Sequence, residues 1–335
     1  VCDMSLPRLK LRSQVVKRLR QFFDEREYLE VQSPRLVGLP GQEPYLEPMW
    51  SSVREQDGAT YKAALISSPE YAMKRLLGND LDKIYDLGPC FRNEEPWDVT
   101  HDPEFLMLEW YRKQIGIQAL MDETEELVRF VSSQVEAPQA PYLPIGPFRR
   151  LTVSEAMKLY ANMDLLPLLG DREKMSEVCR LHEQSVQETD TWDDLFFKLF
   201  LSEVEPYLGW NQDHSKCQPT FLWNYPLSMA ALAKANSIDE RFALRAELYI
   251  GDLELSDGFA ELTDSVEQRK RFQEEQALRR SLGKEVWPID ERFMEALPRM
   301  GNAAGMAFGV DRLVMLLAGT DSISDVMPIP VRKRF

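Results

Sequence analysis

The stretch KIYDLGPCFRNEEPWDVTHDPEFLMLEWY, Lys83 to Tyr111, decides the fold. Two largely apolar runs, Lys83 to Phe91 and Glu104 to Tyr111, have strand length and flank a polar loop holding Pro96 and Pro103. The loop has no helical periodicity, so the two runs read as an antiparallel hairpin rather than as parallel strands joined by a crossover helix. Upstream, Leu11, Val15, Val16, Leu19, Phe22 and Phe23 fall at helical spacing, which predicts a helix with one buried face over Leu9 to Phe23. A short strand, Tyr28 to Val31, is then stopped by Ser33-Pro34, and a Gly/Pro-rich loop runs from Gly38 to Pro48. A strand over Tyr61 to Ile66 and a helix opening near Pro69 complete this half.

Downstream, residues from about 117 to 205 read as mostly helical, broken by the Pro-rich run Ala137 to Pro147. Strands return at Thr220 to Tyr225, Phe242 to Ile250 and Asp252 to Leu262. Asp264 with Glu267 makes a capping-box-like start to a charged helix ending near Leu282. A strand, Gly305 to Val310, and a helix, Asp311 to Ala318, close the pattern. Hairpin-connected strands with helices gathered between groups predict the α+β class: an antiparallel sheet flanked by helices, not a doubly wound one. The simplest organisation is one domain over residues 1–335 with a mostly helical insertion at about 117–205.

Composition narrows the function classes. No apolar run approaches the roughly 20 residues that span a bilayer, and Val1 to Gln14 has no signal-peptide core, so a cytoplasmic protein is expected. Cys2, Cys90, Cys179 and Cys217 are far apart and read as free thiols, and three histidines make a His/Cys zinc site a poor fit. With 55 acids against 40 bases the net charge is −15, which speaks against stable tRNA or other extended polyphosphate binding. The short basic runs Lys17 to Arg20 and Arg332 to Arg334 read as a solvated face and a tail.

Three places could carry chemistry. Arg92 at a strand end suits a carboxylate or phosphate, Glu94 could accept from an amino group, and Phe105 offers a stacking face. On periodicity alone, an ordinary hairpin with a surface ion pair is the better explanation of them. Glu247, Glu254, Asp257 and Glu261 lie on consecutive strands, an acid density that calls for a cation, either Mg²⁺ or a substrate ammonium. A solvent-facing hairpin is the plain alternative. Gly309 permits close backbone approach, and Arg312 at a helix start opposes the macrodipole unless an anion meets it.

The order of these motifs is less ambiguous than any one of them. Helix-strand-Pro34, then Phe91-Arg92-Asn93-Glu94, then Gly309-Val310-Asp311-Arg312 resembles motifs one, two and three of the class II aminoacyl-tRNA synthetases. Ser67-Ser68-Pro69-Glu70-Tyr71, His101 to Phe105, Glu109-Trp110-Tyr111, Pro219-Thr220-Phe221 and Leu253 to Thr263 look like the lysyl branch. The motif-one helix begins within the first dozen residues, so no anticodon-binding domain is expected before it. The pattern is therefore most similar to the bacterial lysyl-tRNA synthetase paralogues that act on elongation factor P. Ala307, where lysyl-tRNA synthetases have Gly, supports that branch.

The resemblance implies an ATP-dependent, AMP-forming ligase that activates (R)-β-lysine and transfers it to a lysine ε-amine of elongation factor P, working as a homodimer. It implies Arg92 on the α-phosphate and substrate carboxylate, Glu94 on the adenine with Phe105 stacked on it, and Arg312 on the terminal phosphate. His101, Asp102, Glu254, Leu255 and Gly309 complete the nucleotide set, and Glu247 with Glu254 would hold Mg²⁺. Ser68, Pro69, Glu70, Glu109, Tyr111, Asp257, Glu261 and Ala307 would line the amino-acid pocket. Two departures stand out. Asp257 replaces an Asn and, ionised, would repel a substrate carboxylate; and the loop Glu95 to Thr100 is one residue longer and lacks the Arg near His101. These leave two alternatives: a minimal lysine-activating enzyme that charges a tRNA or small acceptor, and a non-catalytic paralogue.

One methyl in a tight pocket is worth ~1–3 kcal/mol of discrimination. Ala307→Gly should therefore raise use of α-lysine relative to β-lysine by roughly tenfold, read from kcat/KM ratios; an unchanged ratio removes Ala307 from the specificity argument.

Overall fold

The structure is a computed structural model that describes residues 5–79, 81–137, 143 and 146–335; Cys2 and much of the Pro-rich run at 137–147 lie outside the described residues. The chain divides into two compact units, Val1–Pro141 with Ala260–Phe335, and Tyr142–Phe259.

The first unit begins with α1 (Leu6–Asp24), β1 (Leu29–Glu30), β2 (Leu36–Val37), β3 (Met49–Arg54) and β4 (Thr60–Leu65). It continues through α2 (Glu70–Leu77), β5 (Lys83–Phe91), β6 (Glu104–Lys113) and α3 (Ile117–Gln134). The second unit contains β7 (Arg149–Thr152), α4 (Val153–Tyr160), α5 (Arg172–Leu181), α6 (Trp192–Leu199), β8 (Thr220–Pro226), β9 (Phe242–Ile250) and β10 (Leu253–Ala260). The chain then returns to the first unit with α7 (Ser265–Ser281), α8 (Glu291–Met300), β11 (Ala303–Gly309) and α9 (Val310–Ala318).

In the first unit the strands run β1-β5-β6-β11, with β1 parallel to β5 and the other pairs antiparallel. The hairpin read from Lys83–Tyr111 is the β5–β6 pair, with Cys90 opposite Phe105 and Asp86 opposite Glu109. A separate antiparallel sheet runs β2-β4-β3. The second unit holds β10-β9-β8-β7, antiparallel except for the β7–β8 pair. Antiparallel sheets with helices packed on them are the α+β class expected.

The predicted apolar face of α1 is real and is buried within its own unit: Leu11, Val15, Leu19, Phe22 and Phe23 are all core. Phe23 stacks on Tyr85 at 4.8 Å between ring centroids and packs against Trp110 at 5.3 Å. Each such side chain contributes about 1.5–3 kcal/mol by leaving water. Polar atoms that enter this core are matched. Glu123 of α3 accepts from the Tyr28 hydroxyl at 2.8 and 2.9 Å and from the Trp110 indole at 3.1 Å.

Three elements escape the sequence pattern. β3 alternates weakly, with four exposed residues among its six, so it carries little periodic signal. β7 is four half-buried residues inside the stretch read as helical. It forms because Arg149 to Thr152 pair with β8, a long-range contact that local propensity does not encode. α8 carries Pro298 in its interior, which masks an otherwise strongly one-sided helix capped by Asp290. The Asp264 cap of α7 is confirmed: its carboxylate accepts from the Val266 and Glu267 amides.

α7 also fixes the 38–48 loop. Arg279, fully buried, donates to the carbonyls of Glu43, Pro44, Leu46 and Glu285 and to the Glu47 carboxylate, all within 3.1 Å. Removing one partner of such a buried charged network costs about 3–5 kcal/mol. Arg279→Ala should lower the denaturant midpoint by a destabilisation of about that size, and a midpoint equal to the parent's would show that the loop is held by other contacts.

Candidate active site

The first unit brings together most of the residues implied for an amino-acid pocket. Ile66-Ser67-Ser68-Pro69 turns from β4 into α2, and the Ser68 hydroxyl accepts from the Glu70 amide at 3.0 Å while donating to the Glu109 carboxylate at 2.7 Å. The second Glu109 oxygen accepts from the Tyr111 hydroxyl at 2.5 Å. One helical turn beyond Glu70, the Lys74 ammonium is buried and forms ion pairs with Glu70 and, at 2.5 Å, with Glu261. Burial opposes the Lys74 charge, but Glu261 and Glu70 outweigh it and its pKa is raised overall. For Glu109, burial and then the Glu70 charge push the carboxyl from 4.5 to about 8, against the hydrogen bonds from Tyr111 and Ser68.

Strand β11 lies against this group. Gly305 pairs with Tyr111, and a Cβ at that position would enter the Tyr111 ring, so only glycine permits the approach. Ala307 pairs with Glu109 and packs beside Ile66, Cys90 and Met107. Ser68, Pro69, Glu70, Glu109, Tyr111 and Glu261 are thus gathered as implied, with Ala307 one strand over from Glu109.

A second group surrounds Arg92 at the end of β5. Its guanidinium carbon lies 5.1 Å from the Phe105 ring centroid, its Nε is buried without a hydrogen-bond partner, and it makes no ion pair among the described residues. Glu94 is exposed and holds a left-handed backbone, φ 58°, as do Glu27, Gln114 and Glu183 elsewhere. His101 Nδ1 lies 2.9 Å from Asp98, and its Nε2 lies 3.2 Å from the Arg312 guanidinium. Arg can only donate, so this network assigns the proton to Nδ1, shared with Asp98. Arg312 and His101 therefore meet beside the loop that lacks the Arg.

Asp102 does not join that group through its hydrogen bonds. Its buried carboxylate accepts from the Val331 amide at 3.1 Å and forms an ion pair with Arg334. The run Arg332 to Arg334 is solvent-exposed at Arg332 and Lys333, as expected of a tail, but Arg334 is half-buried and paired. Arg334 also pairs with Glu104 at 2.6 Å, Arg332 donates to the Trp97 carbonyl at 2.8 Å, and Phe335 stacks on Trp97. The run at 17–20 does lie on a solvated face, with Arg20 paired to Glu30. Gly309 caps α9, and Asp311 accepts from the Leu106 amide at 2.6 Å and pairs with Arg12.

The acid-rich strands of the second unit are organised by a residue the sequence reading missed. Arg245 on β9 donates to Asp257 at 3.0 Å, to Glu247 at 2.6 Å and to the Met229 carbonyl at 2.6 Å. The other Glu247 oxygen accepts from Tyr225 and Tyr249 at 2.5 and 2.6 Å. Glu247 is thus engaged on both oxygens and is poorly placed to serve as a free Mg²⁺ ligand; no cluster of three metal-ligating side chains occurs among the described residues. Burial raises Asp257 to about 7, with Glu247 and Glu254 adding to the rise and Arg245 opposing it. The repulsion expected from an ionised Asp257 is therefore reduced by its Arg245 partner. The ladder slips between Glu254 and Ser256, placing a bulge at buried Leu255. Arg245, Glu247 and Tyr249 alternate along one strand face, which is the signal that could have revealed Arg245.

Residues 3–333 match the family model described as tRNA synthetases class II (D, K and N). The chain belongs to the class II tRNA synthetase family. It is 38% identical over 331 residues to the elongation factor P–(R)-β-lysine ligase of Proteus mirabilis, covering 98% of this chain and 96% of that protein. The proteins of the same name from Hamiltonella defensa and Salmonella gallinarum are 36% and 34% identical, each over at least 96% of this chain and 94% of the relative. Within the synthetase family the chain belongs with these ligases. No helix among the described residues is long and apolar enough to cross a membrane.

A carboxyl that titrates near 8 when folded and near 4.5 when unfolded binds more protons in the folded state between those values. Stability contributed by neutral Glu109 is therefore present at low pH and lost as pH rises through about 8. Glu109→Gln should melt progressively higher relative to the parent as pH is raised from about 5 to about 8.5; a difference that stays constant with pH would exclude Glu109 as the group concerned.

Proposed function

We propose that the chain uses ATP to activate (R)-β-lysine as its adenylate and transfers the β-lysyl group to a lysine ε-amine of elongation factor P. The observation that carries this reading is the acid-rich cluster of Glu70, Glu109 and Glu261 around Ser68 and Tyr111, with Lys74 buried among them. Lys74 is one cation paired with two carboxylates, Glu70 and Glu261, and Glu109 has hydroxyl partners but no ion pair among the described residues. An ammonium-bearing substrate supplies the missing positive charge, and it does so in a site where low dielectric strengthens each contact.

Arg92 would hold the substrate carboxylate and α-phosphate. Its orphaned Nε is the kind of donor that an incoming oxyanion satisfies. Phe105 would stack on the adenine and Glu94 would accept from its amino group, while Arg312, steadied by His101 and Asp98, would meet the terminal phosphate. Glu254 of β10 would hold Mg²⁺, which when bound would supply further charge neutralisation. Asp257, paired with Arg245, would face the amino acid as a carboxyl of reduced charge. No side chain here is required as a covalent nucleophile. The work is orientation of carboxylate against phosphate and stabilisation of the charge that develops.

The test is ATP–pyrophosphate exchange with α-lysine, (R)-β-lysine and (S)-β-lysine in parallel, followed by transfer to elongation factor P. Exchange strongest with (R)-β-lysine supports the proposal. Exchange with α-lysine alone favours a minimal lysine-activating enzyme, and no exchange at all points to a binding protein. Arg92→Ala should lower exchange by ~10²–10³-fold with an unchanged far-UV circular dichroism spectrum; full activity in that variant would sink the site assignment.

A further inference from the structure

Residues 38–48, the Gly/Pro-rich loop between β2 and β3, are held to α7 by the carbonyl contacts of Arg279. That anchorage places Glu43 in the wall of a narrow cleft of about 40 Å³, shared with Ser67, Ser68, Pro69 and Glu70. The Glu43 carboxylate folds over Gly41 so closely that a Cβ on residue 41 would overlap it. Glu43 is half-buried and makes no ion pair among the described residues. It stands among like charges. Burial and then Glu70 raise its carboxyl to about 7, and Glu275 of α7 is in turn raised to about 8 by burial, Glu43 and Glu70.

Glu43 and Glu109 occupy different ends of this acidic region. Glu109 is tied to Ser68 and Tyr111 and lies opposite Asp86 on the β5–β6 ladder, six residues back along β5 from Arg92, whereas the loop that carries Glu43 reaches the Arg92 end, where the Asn93 amide donates to the Glu47 carbonyl at 3.0 Å. Arg92 is the group proposed above to receive the reacting carboxylate. A ligand amine near that carboxylate therefore falls to Glu43, and an amine at the far end falls to Glu109. We infer that Glu43 is a specificity-determining residue that binds the ammonium nearest the reacting carboxyl, making the pocket a two-ended reader of diamino acids. The inference rests on the proposed function, because it takes the amino-acid pocket and the role of Arg92 from it.

A carboxylate without a cation of its own favours a ligand that brings one, and a ligand lacking that amine leaves the charge uncompensated. The experiment is calorimetric binding of three compounds to the parent protein and to Glu43→Gln: (R)-β-lysine, β-aminocaproate, which keeps only the near amine, and ε-aminocaproate, which keeps only the far one. Glu43→Gln should weaken (R)-β-lysine and β-aminocaproate by ~10-fold or more and leave ε-aminocaproate unchanged. Gly41→Ala, which displaces the Glu43 carboxylate without changing charge, should give the same pattern. Equal losses for ε-aminocaproate, or no loss for (R)-β-lysine, would overturn the inference. Where the monoamines bind too weakly to measure, the (R)-β-lysine ratio alone decides, with unfolding midpoints confirming that both variants fold. A parent protein that fails to bind (R)-β-lysine sinks the functional reading itself; a parent that binds it alongside an indifferent Glu43→Gln sinks only the role of Glu43.

Discussion

Lys74, an ammonium held out of water between two carboxylates, is the constraint around which the first unit's site is built. A buried lysine is tolerable only when opposite charge is fixed beside it, and here Glu70 supplies one partner from the same helix and Glu261 the other from beyond β10. The pair to Glu70 fixes the first turn of α2. The pair to Glu261 brings the start of the returning chain to the same point, next to β11 through the Glu261 amide and the Ala303 carbonyl. With these charges fixed, Glu109 is left buried beside Glu70, and its elevated pKa follows first from that burial and then from the neighbouring charge.

Charge is arranged by the same logic in the second unit, where Arg245 stands between Asp257 and Glu247. The substitution of Asp for Asn at residue 257, which viewed alone implies a damaged site, is accompanied by a cation that is directly bonded to it. What reads as a lesion in a linear comparison is one half of an ion pair in space. The loop lacking its Arg is similar: Arg312 reaches His101, and Asp98 orients that histidine from the other side.

The long periodic elements were legible because burial imposes the spacing that sequence reveals. α1, the β5–β6 hairpin and the capped start of α7 all lie where the apolar pattern and the Asp264 cap place them. The gathering of Ser68, Glu70, Glu109, Tyr111 and Glu261 was legible only through family resemblance, because nothing in their spacing says that residues 68 and 109 share a hydrogen bond. What stayed hidden depends on tertiary pairing. β7 is a strand by virtue of β8, Lys74 is buried by virtue of Glu261, and the carbonyl-collecting role of Arg279 is invisible until the 38–48 loop folds onto it. Asp102 shows the complementary limit: its position in the motif was evident, but its partners, Val331 and Arg334, lie more than 200 residues away.

That last separation has a temporal meaning. A chain emerging from the ribosome at roughly 5–20 residues per second makes β5, β6 and the loop between them long before it makes residues 331–334. Until then the Asp102 carboxylate has neither the amide nor the guanidinium that holds it. Lys74 likewise waits for Glu261 while the whole of the second unit is synthesised between them. The hairpin can form early from local contacts, but its loop and the pocket beside it are completed by the last part of unit one to be translated. The ion pairs of Lys74 with Glu261 and of Asp102 with Arg334 are therefore among the last contacts that synthesis makes possible in each molecule.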